Sequence, residues 1–95
     1  MTKATERAPI TVEQPDKKRL AELNVSNWPI WTKDPSTFAW HYDEPEMCYF
    51  LEGDVIVKTN HGEVTVGPGD LVTFPSGLDC TWQVRRRVRK HYRLG

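Results

Sequence analysis

From Phe38 to Leu94 the chain is a succession of short apolar runs cut by turn residues, and this punctuation limits its fold more than any other feature. F-A-W-H-Y at 38–42 stops at Asp43-Glu44-Pro45, M-C-Y-F-L-E at 47–52 stops at Gly53-Asp54, and V-I-V-K-T at 55–59 runs into Asn60-His61-Gly62. The last of these is a short hairpin loop in which Gly62 can take positive φ. E-V-T-V at 63–66 ends in G-P-G-D, where proline fixes φ and the flanking glycines reach conformations closed to other residues. L-V-T-F-P, C-T-W-Q-V and V-R-K-H-Y-R-L complete the series. The pattern predicts an all-β chain of seven or eight short strands in an antiparallel sandwich or barrel. Gly53-Asp54 and the run Arg85-Arg86-Arg87 read as exposed turns between strands.

Ahead of these strands the text is different. Residues 1–9 read as a loose arm, I-T-V-E at 10–13 as a short strand, and Lys17 to Leu23 as a short helical stretch with Asp16 as N-cap. Trp28, Ile30 and Trp31 of N-W-P-I-W are expected to clamp one end of the core. The division this suggests is an N-terminal arm over 1–14 and a β-barrel domain over 15–95. Ninety-five residues without an internal repeat make one domain. A chain of this size buries only about 60–65% of its unfolded surface, which leaves room for one small pocket.

Charge excludes several function classes. Thirteen basic residues balance thirteen acidic ones, which argues against nucleic acid or a membrane surface as partner. Arg85 to Arg87 read as a solvated turn, and basic residues on an edge strand discourage edge-to-edge aggregation. No apolar run approaches the roughly 18 residues of a membrane span, and the N-terminus M-T-K-A-T-E-R-A-P lacks a secretory signal, so a cytoplasmic protein is expected. The two cysteines, Cys48 and Cys80, are then expected as thiols.

Side chains alternate across a strand, so an inward Glu46 brings Cys48 and Phe50 inward with it and turns Met47, Tyr49 and Leu51 outward. A carboxylate inside an apolar barrel needs a cation, a donor or a proton. In V-R-K-H-Y-R-L, Val88, Lys90, Tyr92 and Leu94 share one face, and the apolar members make that face the inner one. Lys90 is therefore one candidate partner for Glu46, and a lysine in a dry pocket often has a depressed pKa that suits it to act as base or nucleophile. The bland alternative is a structural ion pair. Trp82 and Tyr92 join Cys48, Phe50 and Cys80 as candidate pocket residues, since ligand pockets are apolar with a few converging polar groups.

Two stretches carry a family resemblance: W-H-Y-D-E-P-E-M-C-Y-F-L-E-G from Trp40 and G-D-L-V-T-F-P-S-G-L-D-C from Gly69. They resemble the two conserved motifs of the cupin superfamily. With W-P-I-W and V-R-K-H-Y the resemblance extends over roughly residues 15–94, to small single-domain cupins labelled "(S)-ureidoglycine aminohydrolase cupin domain". It implies a jelly-roll β-barrel, a homodimer, and a pocket for a small polar metabolite. Metal-binding cupins carry two histidines one residue apart and then a glutamate in the first motif, and a third histidine in the second. Here Glu46 matches, His41 fits as second histidine in one alignment, Ala39 stands in the first position, and Cys80 stands where the third histidine would be. His41, Glu46 and Cys80 are thus the implied ligands of one divalent ion, Zn, Mn or Fe. The alternative is a metal-free site in which Lys90 takes the place of the ion. The activity implied is hydrolysis of a ureido or amino compound with Glu46 and Lys90 as catalytic groups. Its rival is a non-catalytic ligand-binding or sensor module, and a thiol redox role for Cys48 and Cys80 would require their sulfurs to meet in bonding geometry.

Overall fold

Two long strands carry the architecture: β5, Glu46–Thr59, and β8, Asp79–Leu94. They pair antiparallel along almost their whole length. The computed structural model describes residues 4–7 and 9–95, and the remaining strands within it are β1 (Ala4–Arg7), β2 (Ile10–Glu13), β3 (Ile30–Lys33), β4 (Ser36–His41), β6 (Gly62–Val66) and β7 (Leu71–Phe74). One helix, α1 (Lys17–Leu23), and a 3-10 turn (Val25–Asn27) link β2 to β3.

The first half of β5 is hydrogen-bonded between β7 and the end of β8, and the second half between β6 and the start of β8. Strand β3 pairs with the end of β8 and β4 with its start. The result is one group β1-β2-β7-β5-β8-β3 and another β6-β5-β8-β4, joined through the two long strands and antiparallel throughout. This is a jelly-roll arrangement, as the family resemblance implies, and it meets the antiparallel sandwich or barrel that the spacing of strands and turns predicts.

The long strands correct two expectations. Gly53-Asp54 and Arg85-Arg86-Arg87 are not turns between strands but opposed irregularities inside β5 and β8. The register slips between Phe50 and Glu52, again between Glu52 and Asp54, and again between Asp54 and Val55. Extra residues in a ladder bend and twist a strand, which lets the same strand serve both groups. Arg85 crosses the irregularity to Asp54 at 2.8 Å, and Arg85 to Arg87 stay exposed. The run of arginines therefore lies on the outside of a bend.

Residues at the N-terminal end add to the sheet. Ile10–Glu13 is the expected strand and pairs with β7. Ala4–Arg7, expected as part of a loose arm, pairs with Ile10–Glu13, while residues 1–3 and 8 lie outside the described residues. Asp16 caps α1 as expected, accepting from the backbone N–H of Arg19 at 2.8 Å. Leu20 and Leu23 pack with Val25, Trp28, Leu71, Met47 and Tyr49 into a small outer cluster that covers the outward face of β5. The main core lies inside, where Cys48, Phe50, Val55, Val57, Trp82 and Val88 are closed to solvent or nearly so. Ile30 departs from its expected place in the clamp and is 41% exposed, because alternation on β3 turns it away when Trp31 turns in. Among the described residues no helix is long and apolar enough to cross a membrane.

Gly53 is the residue the bend depends on. Its φ is +113°, and a Cβ there would sit 2.7 Å from Val88 Cα and 2.9 Å from the Arg87 carbonyl oxygen. Both obstacles are backbone or anchored to it, so neither can swing aside. Gly53→Ala is expected to cost about 2–3 kcal/mol in urea denaturation. A loss below about 0.5 kcal/mol would show that the bend tolerates a side chain.

Candidate functional site

Glu46 opens β5 and alternates with Cys48 and Phe50 on the inner face; all three are buried. Lys90 on β8 sits opposite Phe50 in the register, and Cys48 sits opposite Tyr92. The lysine stem leans along the strands past Cys48, and its Nζ reaches Oε2 of Glu46 at 3.1 Å. The same Nζ lies 3.0 Å from Cys48 Sγ, and Sγ lies 3.1 Å from Oε2. Lys90 donates to both partners, and the Cys48 thiol donates to the carboxylate. The three atoms form a closed triangle in which Lys90 and Glu46 leave only 6% and 11% of their side chains exposed.

Aromatic rings surround the ammonium. Nζ is 4.6 Å from the Trp82 ring centroid, 4.8 Å from Trp31 and 6.0 Å from Phe50. Burial pulls Lys90 toward neutrality, but the facing Cys48 and Glu46 outweigh it and hold its pKa above the ordinary lysine value. The depressed pKa that a dry pocket suggested for Lys90 is therefore corrected: the carboxylate and the ring faces keep the ammonium charged. Burial pushes the Cys48 thiol up to about 12, against the opposing pull of Lys90, so Cys48 is a hydrogen-bonding thiol and a poor nucleophile.

Glu46 and Lys90 form the floor of a cavity of about 580 Å³. Trp31 and Lys33 come from β3, Phe38 and Trp40 from β4, Trp82 and Tyr92 from β8, and Tyr42 from the loop after β4. Phe38 stacks on Trp82 at 6.1 Å, and Trp31 meets Trp82 edge-on at 5.8 Å. Trp82 Nε1 donates to the Tyr42 hydroxyl at 3.2 Å, which fixes the indole in the wall. Among the described residues, Oε1 of Glu46 has no hydrogen-bond partner. Among the described residues no side-chain oxygen that is shut off from solvent lacks a partner, so Oε1 opens onto the cavity that Glu46 lines.

The sequence-predicted residues separate into three groups. Glu46, Lys90, Trp82 and Tyr92 meet at the cavity. Cys48 and Phe50 lie behind its floor, fully buried. His41 and Cys80 are elsewhere: they line a different, open hollow with Asp79 and Lys58. His41 Nδ1 is 2.7 Å from Asp79, its Nε2 is 3.5 Å from Asp43, and the Cys80 thiol turns to the Trp40 carbonyl oxygen at 3.7 Å. Both cysteines are free thiols. Trp31, Lys33 and Phe38 line the cavity although sequence reasoning did not place them there. Their membership depends on β3 and β4 pairing with opposite ends of β8, for which the chain carries no local signal.

A divalent ion of the kind cupins hold does not fit these residues. The ammonium of Lys90 already occupies the position beside Glu46 Oε2, and neither of the other two implied ligands, the exposed His41 and the buried core residue Cys80, lines the cavity with Glu46. Among the described residues no group of three or more His, Cys, Asp or Glu side chains could hold a metal ion.

The model of the EutQ-like cupin domain matches residues 20–92. The chain belongs to this family of cupins. It is similar to a DUF861 family protein of Thermotoga maritima, with 50% identity over 90% of this chain and 99% of the other, and a TM-score of 0.88. The EutQ protein of Clostridium difficile is 17% identical, covering 96% of this chain and 63% of that one at a TM-score of 0.62. A putative ethanolamine utilization protein Q of Salmonella typhimurium is 15% identical, with 98% of this chain and 66% of that one covered at a TM-score of 0.63. These last two share the fold. No curated protein matches the chain.

Two predictions follow from the buried triangle. Lys90→Met leaves a buried carboxylate without its cation and is expected to cost about 3–5 kcal/mol in chemical denaturation. Adding Glu46→Gln should return most of that loss, whereas strictly additive losses would mean the two side chains are not coupled. Alkaline pH tests the same packing. Cys48 is raised from 9.0 to about 12, Cys80 from 9.0 to about 11, and Lys90 and Tyr42 are raised as well. Burial drives the shifts of Cys48, Cys80 and Tyr42; in Lys90 burial acts the other way and is outweighed by Cys48 and Glu46. A group with a raised folded-state pKa stabilises fully below its unfolded pKa and loses that contribution as pH rises through the folded value. Unfolding free energy should therefore be insensitive to these groups below about pH 8 and decline from about pH 9 through 12. A flat profile across that window would contradict the burial of the two thiols.

Proposed function

We propose that this chain is a small-molecule-binding cupin in which the Lys90–Glu46 pair takes the place of a metal at the pocket floor. The observation that carries this reading is the division of labour within one carboxylate. Oε2 is engaged by Lys90 and Cys48, while Oε1 stays free at the bottom of an aromatic-walled cavity. A pocket of a few hundred Å³ with apolar walls and one or two directed polar groups suits a small polar metabolite. The ammonium held charged by its neighbours supports a binding role over a nucleophilic one.

A hydrolytic reading draws on the likeness to cupins labelled as ureidoglycine aminohydrolases, with the free Oε1 as the group that would take a proton from water. It lacks a second group to polarise the scissile carbonyl, because the one cation on the floor is already paired. Binding without turnover is therefore the reading favoured here.

The test is an NMR screen of small polar metabolites, ureido and amino compounds among them, with EDTA present. Binders should shift the indole N–H signals of Trp31 and Trp82, lose affinity with Glu46→Gln, and be recovered unchanged after overnight incubation. A screen in which nothing moves those indoles, or binding that EDTA abolishes, would overturn the proposal. Release of ammonia from a binder would replace it with the hydrolytic reading.

A further inference from the structure

The charges lining the cavity do not cancel. Glu46 supplies one negative group, and Lys90 and Lys33 supply two positive ones. Lys90 and Glu46 neutralise each other at 3.1 Å on the floor. Lys33 is exposed at the mouth, where its Nζ lies 5.2 Å from the centroid of the Phe38 ring. Among the described residues it has no acidic partner; the adjacent Asp34 is engaged by Arg87 at 3.3 Å. One uncompensated positive charge therefore stands at the rim, and one unused carboxylate oxygen stands at the floor.

The walls between these two points are aromatic. Trp31 and Lys33 share a face of β3, Phe38 and Trp40 share a face of β4, and Phe38 runs nearly parallel to Trp82, with 23° between the planes. Trp40 remains 50% exposed and Leu94 54%, both at the cavity, so a ligand would cover apolar surface that the chain leaves in water. Trp31 stands edge-on to Trp82 at 82° and Trp82 is almost wholly buried, so the ring a planar guest can cover is the half-exposed Trp40; a puckered guest forfeits much of that contact.

Resting on the small-molecule-binding reading above, we infer that the cavity takes a planar monocarboxylate with a hydrogen-bond donor at its far end. The carboxylate sits on Lys33 at the rim, the flat body lies against the half-exposed ring of Trp40, and an N–H or O–H donates to Oε1 of Glu46. A cation meets a surplus of positive charge, and a dicarboxylate would bring its second negative group against Glu46. About 580 Å³ accommodates a single substituted ring or a conjugated chain of like size.

Four probes of similar size separate these elements by calorimetric titration, with indole shifts of Trp31 and Trp82 as the check on location. They are 4-aminobenzoate, benzoate, 4-aminobenzamide and cyclohexanecarboxylate. The aminobenzoate should bind about 10-fold more tightly than the aminobenzamide, the value of a charge-assisted hydrogen bond at an accessible site. Benzoate, which lacks the donor, should be weaker than aminobenzoate by about 3–10-fold, and cyclohexanecarboxylate weaker again. Lys33→Gln, an exposed change that leaves the core intact, should bring the acid and the amide to within about 2-fold of each other. The inference is overturned by an amide that matches the acid in the native protein, by a preference that Lys33→Gln leaves unchanged, or by failure of all four probes to bind. None of these results touches the binding reading, which falls when the wide metabolite screen moves neither indole or when EDTA abolishes binding.

Discussion

The fold depends on holding a lysine and a glutamate together inside a barrel of about ninety residues. Each charge alone would cost several kcal/mol to bury. Together they are tolerated because Nζ meets Oε2 at 3.1 Å, the Cys48 thiol closes the triangle, and two indole faces lie within 5 Å of the ammonium. The arrangement demands that β5 and β8 pair in one register. A slip by one residue would turn Lys90 outward and leave Glu46 alone in the core. The pair thus specifies the alignment of the two strands with which β3, β4, β6 and β7 all pair directly, and it places the aromatic walls at the same time.

The chemistry of the floor follows from this interaction. Where a cupin with a full ligand set offers an exchangeable ion, this chain offers a cation covalently attached to the barrel. Such a cation cannot be lost, and a carboxylate already beside it leaves it little power to polarise a guest. Polarity not committed to the pair lies in two places, the second oxygen of Glu46 and the ammonium of Lys33 at the mouth. The His41–Asp79 contact, made where the end of β4 meets the start of β8, and the Cys80 thiol, turned to the Trp40 carbonyl oxygen, lie outside this cavity. Residues that align with metal ligands in sequence thus have different surroundings.

Much of the site was legible without coordinates. Alternation along E-M-C-Y-F puts Glu46, Cys48 and Phe50 on one face, and alternation along V-R-K-H-Y brings Lys90 inward with Val88; burial follows both patterns. The period of a strand is two residues and needs no tertiary information. The ends of strands were harder. Gly53-Asp54 and Arg85 to Arg87 have turn composition, yet they are bends in continuous strands, because glycine and exposed charge suit an irregularity in a ladder as well as they suit a hairpin. Ile30 and Trp31 could not be told apart as clamp residues until the pairing of β3 with β8 decided which one faced in.

Local order determined the faces of the strands, the cap at Asp16, the glycine-dependent reversals and the family to which the chain belongs, since each of these is written in neighbouring residues. Distances between strands belonged to the tertiary structure alone. Only the fold set Lys90 Nζ 44 residues away in sequence but 3.1 Å in space from Glu46, sent His41 and Cys80 to another hollow, and brought Trp31, Lys33 and Phe38 around the cavity. The physical reason is that side-chain direction obeys a two-residue period, whereas register between strands is decided by bulges and by the packing of the whole core.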